Sequence, residues 1–238
     1  MRYRLVLGLL ALAVPVAAAE PITPTEQVLP SGARWTADVP DQWNGTLLLW
    51  SRGYSSRAGQ AESGPREIRE ALLAQGYALA GSDYGSGGWA LEQAMPAQLA
   101  TLTAFAARFG KPRRTMAWGA SMGGLVTTAL AEQRPARIGA RVDGGIAVCA
   151  SIGGSLGMMN MALDGAQAFR ALAAPDTGIA LTGIGDDRAN GGKVAAALEA
   201  ALKTPEGRAR VALAGVLAGI PGWTSRERAE PGAADHEA

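Results

Sequence analysis

Four short apolar runs constrain this chain more than any other feature. They are T-L-L-L-W at 46–50, Y-A-L-A-G at 77–81, T-M-A-W at 115–118 and G-I-A-V-C-A at 145–150. Short apolar runs bounded by glycine and polar turn residues read as strands buried on both faces. Stretches with helical spacing lie between them. Residues 65–75 put Ile68, Leu72 and Leu73 on one face and stop at Gly76. Residues 98–109 repeat Leu99, Leu102, Phe105 and Ala106, and Gly110-Lys111-Pro112 ends them. Residues 122–134 form a third helix, stopped by Pro135. Strands and helices that alternate through short links predict the α/β class: a mostly parallel sheet with helices on both faces. A further strand is expected at 34–39, after an extended arm at 21–30.

The totals narrow the partners. A chain of 238 residues makes one large domain or two small ones, and 48% apolar residues are ample for a core. Only 5% are aromatic, so Ala, Leu and Val must do most of the packing. A net charge of +1 without basic blocks argues against nucleic acid as the main partner. No Cys/His cluster is present, so neither a metal nor another cofactor is expected. The single cysteine, Cys149, lies in an apolar run and is expected to be a buried, inert thiol.

Residues 1–19 read as a signal peptide. Arg2 and Arg4 form a basic start, 5–16 an apolar run, and Ala17-Ala18-Ala19 a cleavage site. The run falls short of the ~18 apolar residues of a membrane anchor. The expectation is an exported protein, secreted or periplasmic, with no membrane attachment after cleavage. From residue 158 the pattern changes to helices at 158–173, 193–203 and 205–219, with no clear strand between them. Thr204 and Pro205 are a helix N-cap and first helical position. Residues 225–238 are polar, then rich in Pro, Gly and Ala, and are expected to be a disordered tail.

The chain holds two G-x-S-x-G matches, Gly119 to Gly123 around Ser121 and Gly153 to Gly157 around Ser155. In a nucleophile elbow the serine sits on a strained turn between strand and helix, and small residues two before and two after let backbones pass. With 32 glycines the pattern alone is weak. Context separates the two matches. Ser121 follows its strand directly and a helix begins at once, whereas Ser155 is set off by Ser151-Ile152-Gly153 and is expected in a loop.

The neighbourhood of Ser121 extends the match. Trp43-Asn44-Gly45-Thr46-Leu47-Leu48-Leu49 followed by Arg52-Gly53-Tyr54, then Asp83-Tyr84-Gly85-Ser86-Gly87, then Trp118 to Gly124, resemble three ordered segments of secreted α/β-hydrolases. The resemblance covers about residues 31–173. It implies the α/β-hydrolase fold, with 20–157 as the N-terminal part of its core and 158–224 as a helical lid or cap. It implies Ser121 as nucleophile, with the Met122 N–H and the Gly53 or Tyr54 N–H as oxyanion donors. Gly119 and Gly123 are the elbow glycines. Its substrate would be a small ester or amide, without a cofactor. Arg52 stands where the family has histidine.

The same resemblance leaves the base unfilled. A triad needs an orienting Asp or Glu and then a His late in the chain. The one histidine, His236, lies in the tail. Asp143, Asp164, Asp176, Asp186 and Asp187 follow Ser121 without ending a strand, and Asp186-Asp187 reads better as a helix start. The last strands of the fold are therefore expected to be missing, leaving 145–150 as an apolar sheet edge. Three readings follow. The chain is a serine hydrolase by descent, incomplete or inactive by itself, whose base is lost or supplied by another chain such as a complementing C-terminal fragment. It is a non-catalytic binding module of the same fold. Or it is an unstable truncated product.

Overall fold

A computed structural model describes residues 27–132, 142–223, 225, 227–230 and 232. The expected signal peptide, His236 and most of the expected tail lie outside the described residues. Two compact units divide the chain after Ile152.

The first unit is built on a six-stranded sheet. Its strands are β1 (Gln27–Val28), β2 (Arg34–Asp38), β3 (Thr46–Ser51), β4 (Ala78–Ser82), β5 (Arg114–Ala120) and β6 (Gly144–Val148). They lie in the order β1-β2-β4-β3-β5-β6. β3 to β6 run parallel, while β2 pairs antiparallel with β4, and β1 with β2. Helices α1 (Arg66–Ala74), α2 (Leu91–Phe109) and α3 (Met122–Glu132) connect the parallel strands. All four apolar runs are strands of the parallel part. Helix α2 begins seven residues before the expected 98, at Leu91, and carries Pro96 within it. A proline inside a helix removes one hydrogen bond and crowds the carbonyl one turn back, a cost of about 3 kcal/mol that burial of Ala94, Ala97, Leu102 and Phe105 outweighs.

Pleating divides the sheet into two faces. Leu47, Leu49, Ala78, Ala80 and Ala117 form one core with Phe105 of α2 and with Val126 and Leu130 of α3. Fully burying each leucine contributes about 2 kcal/mol. Small alanines on the strands let α2 and α3 lie close, which is how a core with few aromatic residues packs. On the opposite face Trp50 lies beside Trp118, their ring centroids 4.5 Å apart. Among the described residues β6 is the last strand on its side, with Ile146 58% and Val148 47% exposed. An apolar edge there is what the sequence predicts.

The second unit is helical: α4 (Gly154–Ala173), α5 (Asp187–Leu202) and α6 (Pro205–Leu217). Asp186 caps α5, its carboxylate accepting from the Ala189 N–H at 2.9 Å. Thr204 caps α6 through the Gly207 N–H at 3.0 Å, with Pro205 at the first helical position. Both cap readings match the sequence. Two expectations fail. Ser155 is not in a loop; it lies in the first turn of α4, which starts at Gly154. Helix α5 starts at Asp187 rather than 193: Asp186 caps it there, and the helix runs on through the glycines at 191 and 192. Neither α5 nor α6 buries more than two residues, and a small satellite cluster of Ala174, Ile179 and Ala197 is the unit's main core.

Candidate active site

Ser121 is the one residue between β5 and α3. Its φ is +57°, a left-handed conformation that a residue with a side chain adopts only under constraint, at a cost of about 1–3 kcal/mol. The constraint is crowding from β3. Gly119 pairs with Ser51 of β3, and a Cβ on Gly119 would lie 2.5 Å from the Gly123 carbonyl oxygen and 2.6 Å from that of Ser51. A Cβ on Gly123 would overlap the Ser51 carbonyl oxygen outright and lie 2.6 Å from that of Arg52. The turn is pinned further by the Ser121 N–H, which donates to Val148 O at 3.0 Å, and by Ser121 O, which accepts from the Gly124 N–H at 3.0 Å. The Ser121 side chain is left exposed at the C-terminal end of the sheet. The N–H of Met122 stands in the first turn of α3, where helix N–H groups lack a carbonyl one turn back.

The loop after β3 runs beside this turn. A Cβ on Gly53 would lie 3.4 Å from Ala120 O and 3.6 Å from Ser121 Cβ, so its backbone is in contact range of the serine. Tyr54 is exposed, its ring 6.3 Å from that of Trp89. Thus Ser121, Met122, Gly119, Gly123 and Gly53 are brought together, with Tyr54 next in the chain.

Behind the loop sits Arg52, buried. Its guanidinium donates to Asp83 O at 2.8 and 3.3 Å, to Ser86 O at 2.5 Å and to Gly53 O at 3.0 Å. It lies 4.4 Å from the centroid of the Tyr84 ring. Tyr84 is itself left-handed, φ +63°, and its hydroxyl donates to Arg52 O at 3.1 Å. Burial pushes that hydroxyl up to about 12, against the opposing pull of the Arg52 charge. Tyr84 therefore stays a neutral donor at ordinary pH and is no base for Ser121. Asp83 holds the loop from the other side: one carboxylate oxygen accepts from the N–H groups of Arg34 and Gly85 at 2.9 and 2.8 Å.

A second support is Gln98 of α2, fully buried. Its amide donates to Trp50 O at 2.6 Å and to Ser51 Oγ at 2.8 Å, and its oxygen accepts from Ser82 Oγ at 3.1 Å. It ties together the ends of β3 and β4 from which both loops spring. Sequence reasoning gave no role to Tyr84 or Gln98. A polar residue one turn before Leu102 on a buried helix face was the available signal for Gln98.

None of the candidate acids joins Ser121 in the first unit. Asp143 accepts from the Thr115 N–H at 2.8 Å, at the start of β5 and so at the far end of the sheet. Asp164, Asp176, Asp186 and Asp187 are exposed residues of the helical unit. Cys149, expected to be buried, is exposed with φ +46°. It follows the last residue of β6, so the apolar run outlasts the strand and its sulfur leaves the packed layer. Among the described residues no three His, Cys, Asp or Glu side chains converge as metal ligands, and no helix is long and apolar enough to cross a membrane.

A parallel sheet with an antiparallel second strand, a left-handed serine between strand and helix, and a glycine loop from the neighbouring strand beside it define the α/β-hydrolase fold. The chain is a protein of that fold. No family model matches it. It is 30% identical over 239 residues to an o-phthalyl amidase of Xanthobacter agilis, a match that takes in 90% of this chain. The chain spans about half the length of that relative, 51%. Among solved structures it is similar to an esterase of Pyrococcus furiosus, 21% identical with a TM-score of 0.44, covering 60% of this chain and 54% of the esterase. It is also similar to an acylaminoacyl peptidase of Pyrococcus horikoshii, 13% identical with a TM-score of 0.42, over 55% of this chain and 23% of the peptidase.

Proposed function

We propose that the chain is the nucleophile-bearing part of an exported serine hydrolase that cleaves a small ester or amide. The observation that carries this reading is the strained, exposed Ser121, held on a turn too crowded for any residue but glycine at 119 and 123. In the proposed reaction Ser121 Oγ attacks the substrate carbonyl carbon and its proton passes to a base. The carbonyl oxygen takes the negative charge and is held by the Met122 N–H and the Gly53 or Tyr54 N–H. The leaving alcohol or amine departs with that proton, and water then releases the acyl group from Ser121. No cofactor enters this scheme.

The relative's greater length supports a second proposal. A complementing C-terminal segment supplies the base and orienting acid. The helical unit, 158–224 in the sequence reading, takes the place of a lid or cap, and the leader at 1–19 directs export to the periplasm or beyond. A rival reading is a non-catalytic binding module, favoured by Arg52 in the place of histidine and by the placement of the candidate acids, none of which joins Ser121 among the described residues of the first unit. Hydrolysis of nitrophenyl acetate and acetyl nitroanilide by the chain joined to a complementing C-terminal segment, and by the same protein with Ser121→Ala, separates the two. Turnover abolished by the substitution supports the hydrolase. Turnover equal in both proteins overturns it, and saturable ester binding without turnover or covalent labelling favours the binding module.

A further inference from the structure

Arg52 and Tyr84 grip the main chain at two successive peptides, and the pattern of those grips has a geometric consequence. In a planar trans peptide the N–H points away from the C=O. The Tyr84 hydroxyl holds Arg52 O, the carbonyl of the peptide whose N–H belongs to Gly53. The Arg52 guanidinium holds Gly53 O, the carbonyl of the peptide whose N–H belongs to Tyr54. Fixing the two carbonyls fixes the directions of both N–H groups. These are the two groups that the reading of Ser121 as nucleophile requires as oxyanion donors on this loop.

We propose that Arg52 and Tyr84 are positioning residues that together lock the Gly53 and Tyr54 N–H groups in one orientation beside Ser121. The inference rests on the hydrolase reading for its consequence in catalysis, but not for the lock itself. The pair is built to be rigid. The guanidinium is anchored on Asp83 O and Ser86 O and stacked on the Tyr84 ring, so its grip on Gly53 O cannot swing without breaking contacts to the β4 loop. Tyr84 is buried and donates from a left-handed backbone that Asp83 braces through Gly85. The two loops are joined again where the Gly88 N–H donates to Ser55 O at 2.6 Å. A glycine at 53 has no side chain to resist a peptide flip, so the orientation must come from outside the loop. Lysine could supply the charge of Arg52, but its single ammonium cannot hold carbonyls of three residues in a planar fork.

Two measurements on the full chain test the lock. One is the hydrogen-exchange rate of the Gly53 and Tyr54 amides, read by NMR. The other is the second-order rate at which a fluorophosphonate labels Ser121, resolved into binding and bond-forming steps. In Tyr84→Phe and in Arg52→Lys the two amides are expected to exchange faster while β3 and β5 amides do not change. Labelling is expected to slow roughly tenfold in the bond-forming step with unchanged probe binding, a smaller loss than removing an oxyanion donor outright. Tyr84→Phe keeps the ring and its packing, so it decides the matter if Arg52→Lys does not fold. Unchanged amides and unchanged labelling in Tyr84→Phe overturn the lock and leave Ser121 as nucleophile. Full recovery in Arg52→Lys shows that charge alone matters and overturns it for Arg52. If wild type labels neither by itself nor joined to a complementing C-terminal segment, the hydrolase reading fails, and the amide rates alone decide the lock.

Discussion

The two G-x-S-x-G stretches are the same five-letter pattern in opposite physical settings. Around Ser121 both glycines stand where a Cβ would strike the main chain, and the serine bears the left-handed strain. Around Ser155 a Cβ on Gly153, Gly154 or Gly157 meets nothing within 4 Å, and the positive φ falls on Gly154 instead. Ser155 is an ordinary residue in the first turn of α4. What separates them is crowding from a third segment. β3 runs past the first stretch and makes glycine obligatory, whereas nothing makes it so at the second. An elbow is therefore recognised by what its glycines touch.

That contrast can be broken by substitution, and the largest effect is expected at Gly123. Gly123→Ala drives a methyl into the Ser51 carbonyl, and a loss above about 4 kcal/mol, seen as failure to recover folded protein, is expected. Next comes pH, which touches the first stretch alone through Tyr84. Its folded value of about 12 exceeds the ordinary 10.0, so the native state holds the proton that the unfolded chain releases. Stability is then full below pH 10 and falls by about 2 kcal/mol as pH rises towards 12. Denaturant titrations across that window should show a shallower fall in Tyr84→Phe. Smaller again is strain relief. Ser121→Gly should raise stability by about 1 kcal/mol in chemical denaturation, since glycine takes φ +57° freely. Least of all, Gly157→Ala should stabilise by about 0.5–1 kcal/mol, as alanine does within an open helix, where the same change at Gly123 is ruinous. A loss at Gly157 matching that at Gly123 would erase the distinction.

Much of the sheet was legible because parallel strands buried on both faces leave uninterrupted apolar runs. T-L-L-L-W and T-M-A-W became β3 and β5 with bounds shifted by a residue or two. Capping was legible for the same local reason: Thr204 and Asp186 act within one turn of themselves. Helix α2 was read short because Pro96 interrupts its pattern while the tertiary burial of Ala94 and Ala97 supports the extra turns. Cys149 was misread because an apolar run records composition, not where a strand ends. The strained turn at Ser121 could be placed from order and spacing. Its supports could not, because Tyr84 and Gln98 reach Arg52 and Ser51 across 32 and 47 positions of sequence, and no local pattern reports such a contact.

The most direct measurement is peptide mapping by tandem mass spectrometry after exposure of the chain, by itself and joined to a complementing C-terminal segment, to a fluorophosphonate at neutral pH, with Ser121→Ala and Ser155→Ala in parallel. A single adduct on Ser121, unaffected by Ser155→Ala and abolished by Ser121→Ala, is expected. An adduct on Ser155 or Cys149 with Ser121 unmodified would mean that the crowded turn between β5 and α3 is not a nucleophile elbow.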